Sequence, residues 1–138
     1  MDLIEVELAR VVIQQKGDQQ YVHLREKGGG RSFPIVIGFH EVEEINRKLA
    51  GLQSQRPLTH DLIGRVLKTL GYRLHRVLIT ELRDATFFAN LAVIPSELGK
   101  TEPERLIDCR PSDAIALAVQ TGARIFVARA VIDEVAQG

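Results

Sequence analysis

The feature that most restricts the fold lies within "DCRPSDAIALAVQTGA", residues 108–123. There Ala-Ile-Ala-Leu-Ala-Val follows a head crowded with Asp108, Arg110, Ser112 and Asp113. Six apolar residues in succession leave a helix no polar face to turn to water, so this helix reads as buried. Carboxylates and a guanidinium at the head of a core helix have two explanations: they cap the helix, or they form a site that needs rigid mounting. A second stretch, "RPLTHDLIGRVLKTLGY" at residues 56–72, has a similar form.

The segments around these helices mix strand and helix signals. "LIEVELARVVI" alternates as a strand, with Ile4, Val6 and Leu8 on one face, and "YVHLRE" offers a second strand before the loop or hairpin connection "KGGGRS". "FPIVIG" is a short β-rich run. In the following "FHEVEEINRKLAG", Val42, Ile45, Leu49 and Leu52 recur at helical spacing with Gly51 as a stop. The next helix is expected after Thr59 as its cap, running through Leu62, Ile63, Val66, Leu67 and Leu70 to Gly71. "YRLHRVLITEL" and "TFFANLAVI" read as long strands joined tightly by "RDA", and "RLIDC" and "RIFVA" as shorter ones. "AVIDEVAQ" reads as a closing helix. Without strict βα alternation, the expectation is α+β: one compact domain over residues 1–138, with a mixed or mainly antiparallel sheet packed with three to four helices.

Composition excludes several classes. No apolar run approaches the roughly 20 residues of a membrane helix, and the acidic N-terminus is unlike a signal peptide, so a cytoplasmic protein is expected. Cys109 is the single cysteine, which rules out an internal disulfide and a multi-cysteine zinc site. Eighteen basic residues balance eighteen acidic ones, so any binding to nucleic acid rests on a local cluster.

Both helix heads begin Arg-Pro and place an acid in or near the first turn. With Pro111 as the first helical residue, Asp113 falls third and reaches back to the capping residue's N–H. Asp61 falls in the positively polarised first turn of the other helix. The same geometry serves chemistry. A helix N-terminus presents N–H groups to an anion, an arginine grips phosphate bidentately, carboxylates hold a divalent cation or activate water, and His60 can move a proton. Phosphodiester hydrolysis uses all four.

The pieces "PIVIGFHEVEEI", "RPLTHDL", "DATFFANL", "DCRPSDAIALAV" and "IFVARAVID" resemble, in order, the bifunctional nuclease family, and they cover roughly residues 34–133. The resemblance implies a small α+β protein that cleaves both DNA and RNA and self-associates, most simply as a dimer. It points to Arg56, Arg110 and Ser112 as substrate-binding residues and to His60, Asp61 and Asp113 as catalytic. Mg²⁺ or Mn²⁺ would be held by Asp61, Asp108 and Asp113, since DNA lacks the 2′-hydroxyl that lets RNA cleave itself. The rival expectation is a non-catalytic regulatory or scaffold domain that binds nucleotide, nucleic acid or protein.

Four other features read more simply. "KGGGRS" lacks phosphate-loop spacing and is a turn, and Cys109 is a small apolar group entering the core. Phe87 and Phe88 point to opposite strand faces, one into the core. The acidic "HEVEEIN" segment reads as a solvated helix face.

Overall fold

The computed structural model describes residues 2–13, 20–52 and 55–136. In chain order its elements are β1 Leu3–Val12, β2 Gln20–Glu26, β3 Ser32–Ile37, α1 Phe39–Leu49, α2 Thr59–Thr69, β4 Tyr72–Arg83, β5 Thr86–Pro95, β6 Arg105–Cys109, α3 Pro111–Thr121, β7 Arg124–Ala128 and α4 Arg129–Val135. The strands form one 7-stranded sheet in the order β3-β2-β1-β7-β4-β5-β6. β4 and β7 run parallel, and every other neighbouring pair is antiparallel. The protein is therefore a single small α+β domain with a mixed sheet.

The sheet curls around α3. Ala114, Ile115, Ala116, Leu117 and Ala118 are all buried, so the helix needs cover on every side. It packs against β3, β4, β5 and β7, and against α1 and α2. In a flat sheet the five inter-strand steps from β3 to β5, at about 4.8 Å each, would hold those strands about 24 Å apart. Instead the rings of Phe33 in β3 and Phe87 in β5 stack with centroids 6.2 Å apart. Phe88, its side chain on the other strand face, lies under the Arg83 guanidinium at 4.6 Å.

Turn chemistry fits this curvature. β4 and β5 join through Asp84 and Ala85, both left-handed at φ 52° and 61°, as the twist of a two-residue hairpin demands. "KGGGRS" closes the β2–β3 hairpin, where Glu26 N–H donates to Arg31 O at 2.9 Å. No described helix is long and apolar enough to cross a membrane.

Two helical stripes turn out narrower than their spacing implied. On α1 only Val42 and Ile45 are buried, while Leu49 at the helix's last position and Leu52 after it are exposed. On α2, Ile63 and Leu67 are half-buried, but Leu62, Val66 and Leu70 form an exposed row. The reason is geometric: α2 packs on α3 and β4 along one side, and among the described residues its second apolar flank stays exposed.

Candidate active site

The head of α3 is built as the sequence implied, with Arg110 as the extended cap and Pro111 first in the helix. Asp113 Oδ2 accepts the Arg110 backbone N–H at 3.2 Å, which satisfies an amide that no helical carbonyl reaches. The Arg110 side chain folds over the same carboxylate, donating from Nε to Oδ2 at 3.1 Å and from Nη2 to Oδ1 at 2.9 Å. Nη2 also donates to Glu41 Oε1 at 3.1 Å, tying α3 to α1.

Asp113 then meets His60 from α2. The imidazole is buried, at 6% exposure, and its Nε2 donates to Asp113 Oδ1 at 3.0 Å. Its Nδ1 donates to Glu44 Oε2 on α1. Ionised carboxylates only accept, so with Glu44 and Asp113 both ionised the ring donates from each nitrogen, as an imidazolium does. Its pKa moves accordingly: burial is the largest influence and lowers it, but the bonds to Asp113 and Glu44 together outweigh burial and raise it above the usual histidine value. Burial likewise presses the Asp113 pKa upward, and Arg110 and His60 prevail and hold it below the usual carboxylate range.

His60, Asp113 and Arg110 therefore join three helices at one point, on the wall of a cavity of about 470 Å³ that Glu41, Glu44 and Asp108 also line. Asp108 stands exposed near the end of β6, and among the described residues its carboxylate has no ion-pair or hydrogen-bond partner. Arg110 is the solvent-facing member, with its side chain 67% exposed. Cys109 lines the cavity too, but burial first, then Asp113 and Asp108, push its thiol up to about 12. It stays an uncharged thiol at neutral pH, as its sequence context implied.

The head of α2 departs from expectation. Its cap is Leu58, not Thr59. An acid third in a helix serves the N–H three residues before it. Asp61 Oδ2 accepts from Leu58 N at 3.0 Å, which leaves Thr59 as the first helical residue. Asp61 Oδ1 pairs with Lys48 at 2.9 Å. Burial works against this carboxylate, and Lys48 with the Leu58 N–H more than compensates and lowers its pKa. Asp61 lines a different cavity from the one that holds His60 and Asp113.

The other expected site residues scatter. Ser112 is buried and lines a third hollow, between β3 and the β4–β5 turn, beside Arg110. Arg56 lies exposed in the bend before α2. Asp61, Asp108 and Asp113 do not converge: no trio of His, Cys, Asp or Glu among the described residues is placed to hold a metal ion. As a set these three do not fit one cation.

Two residues of the cluster escape a reading of the sequence. Glu41 and Glu44, expected on a solvated face, are largely covered, at 15% and 16% side-chain exposure. They lie three apart on one flank of α1, bordering the stripe of Val42 and Ile45, and that adjacency is the signal that could have found them.

A curled α+β sheet around a core helix, with a histidine anchored between carboxylates at that helix's head, defines the class. Within it, the chain belongs to the bifunctional nuclease domain family, whose model matches residues 22–137. It is also similar to uncharacterized proteins of Mycobacterium tuberculosis, from strains CDC 1551 / Oshkosh and ATCC 25618 / H37Rv. Each is 35% identical over 128 residues, covering 93% of this chain and 73% of the relative.

Proposed function

We propose that the chain is a nuclease hydrolysing phosphodiester bonds of both DNA and RNA with modest specificity, at the cavity where α1, α2 and α3 meet. The observation that carries this reading is His60, a buried imidazole held at both ring nitrogens between Glu44 and Asp113 beside an exposed Arg110. Family membership supports the same chemistry. In this reading Arg110 leaves its neighbouring carboxylates to grip the non-bridging oxygens of a phosphate, helped by the N-terminal amides of α3. His60 gives a proton to the departing oxygen as general acid. The Asp113 and Glu44 carboxylates orient its ring.

Water attacks in the DNA reaction, and Asp108 is the exposed carboxylate in the same cavity that would accept its proton. A divalent cation (Mg²⁺ or Mn²⁺) belongs to the proposal only through Asp108 and Asp113. One or two carboxylates plus substrate phosphate is a usual way to hold magnesium, which would supply an activated water. Asp61 falls outside this set. A homodimer in the cytoplasm completes the reading, supported by the exposed row of Leu62, Val66 and Leu70.

A specific observation also favours a non-catalytic binding domain: His60, Asp113 and Arg110, with Glu41 and Glu44, bond one another as a lock between helices. One experiment separates the two. Purified protein is incubated with labelled single-stranded RNA and DNA in Mg²⁺, Mn²⁺ or EDTA, beside His60→Gln and Asp113→Asn variants checked for folding. Cutting of both polymers that disappears in the folded variants is expected. Equal background cutting by all three proteins would leave only the binding domain.

A further inference from the structure

A second cavity, of about 370 Å³, borders the α1–α2 seam and is lined by Lys48, Asp61, Gly64, Arg65, Lys68 and Gln120 among others. On α2, positions 61, 64, 65 and 68 share one helix face. Lys48 comes from α1 and Gln120 from α3. Three cations face one carboxylate here, an excess of two positive charges in a chain that is neutral overall. That carboxylate is already occupied by Lys48 and the Leu58 N–H. Arg65 acts on Asp61 only through its field, and among the described residues neither Arg65 nor Lys68 has an ion-pair partner. At Gly64 a Cβ would come within 3.2 Å of Gln120 Nε2, so a side chain there would crowd the amide. Two uncommitted cations, a third shared one and an amide donor around an open hollow are the chemistry of a phosphate group.

We infer that this cavity binds a backbone phosphate of the same nucleic-acid strand whose scissile phosphate lies at His60. The inference rests on the nuclease reading for its choice of polymer. Both helices of the seam serve both cavities: α2 supplies His60 to one and Arg65 and Lys68 to the other, and α1 supplies Glu44 and Lys48. From His60 to Arg65 and Lys68 the rise along α2 is about 7 to 12 Å. At the roughly 3.4 Å rise per nucleotide of a stacked strand, that is about two to four nucleotides. The basic cavity therefore offsets the carboxylates that outnumber Arg110 and His60 in the other cavity, and it makes long strands better ligands than short ones.

The test measures binding separately from cutting. A fluorescent single-stranded oligonucleotide with a hydrolysis-resistant phosphorothioate backbone is titrated with the full chain across a salt series, followed by anisotropy. The variant is Arg65→Glu with Lys68→Glu, and the control is Arg10→Glu with Arg25→Glu, an equal charge change outside the cavity. The variant is expected to bind about tenfold more weakly than the control, with a log–log salt slope shallower by about 0.7 for each phosphate it no longer neutralises. Equal affinity and slope in variant and control would overturn the subsite. Inorganic pyrophosphate, titrated by NMR, separates the sources. If it perturbs Arg65 and Lys68 while the oligonucleotide does not, the ligand is a free phosphate compound and the strand track is wrong. If the native chain cuts nothing, the nuclease reading fails while the binding result still decides the cavity.

Discussion

The heads of α2 and α3 start from nearly the same sequence and reach different ends. Each has an acid third in its helix that accepts the cap's backbone N–H, Asp61 from Leu58 and Asp113 from Arg110. The proline is offset between them: Pro111 is the first residue inside α3, whereas Pro57 lies just outside the Leu58 cap of α2. The offset puts Arg110 at the cap itself, where its guanidinium closes on its own Asp113, and it leaves Arg56 two residues beyond the cap in an exposed bend. Packing completes the divergence. Asp113 sits where three helices meet and receives His60, while Asp61 faces outward along the seam and receives Lys48. A capping motif fixes where a carboxylate points; the elements packed against it decide its chemistry.

Removing His60 is the most damaging way to disturb this contrast. His60→Ala leaves Glu44 and Asp113 without their shared cation in a covered place, and it should cost about 2 to 4 kcal/mol in urea unfolding, with cleavage abolished. Next comes a paired comparison. Asp113→Asn weakens the bonds to His60 and Arg110 and should cost about 2 kcal/mol, whereas Asp61→Asn loses mainly the Lys48 pair and weakens a cap, and should cost about 1 kcal/mol with turnover intact. Equal losses in stability and activity would erase the distinction between the two heads.

The pH dependence of stability reads the contact between the two heads, His60 with Asp113. His60 has a raised folded pKa, so its contribution is fully present below the unfolded value of 6.5 and is lost as pH climbs through the folded value above it. Asp113 has a lowered one, so its contribution is present above 3.8 and is lost as pH falls through the folded value below that. Urea midpoints should therefore hold a plateau between these limits, and the alkaline decline should be absent from His60→Gln. The smallest effect is expected at Thr59→Ala, within about 0.5 kcal/mol, because Leu58 is the cap.

The sequence carries the local features plainly. The order of strands and helices, the "RDA" hairpin and the carboxylate reaching back to Arg110 all follow from neighbours within a few residues. What it does not carry depends on distant packing. Nothing in "FHEVEEINRKL" alone places Glu44 against a histidine sixteen residues on, and the curl that stacks Phe33 on Phe87 is a property of the whole sheet. The expectation that Asp61 and Asp113 share one site rests on their similar motifs, and motif similarity says nothing about which cavity each helix turns to.

The proposed chemistry stands on His60 being an imidazolium clamped by two carboxylates, and a pH titration of its ring by ¹⁵N-resolved NMR reads that state without intermediaries. The clamp requires a midpoint above 6.5 in the native chain, with both ring nitrogens protonated at neutral pH, moving back down in Asp113→Asn and in Glu44→Gln. A midpoint at or below 6.5, unmoved by either substitution, would contradict the clamp and the role built on it.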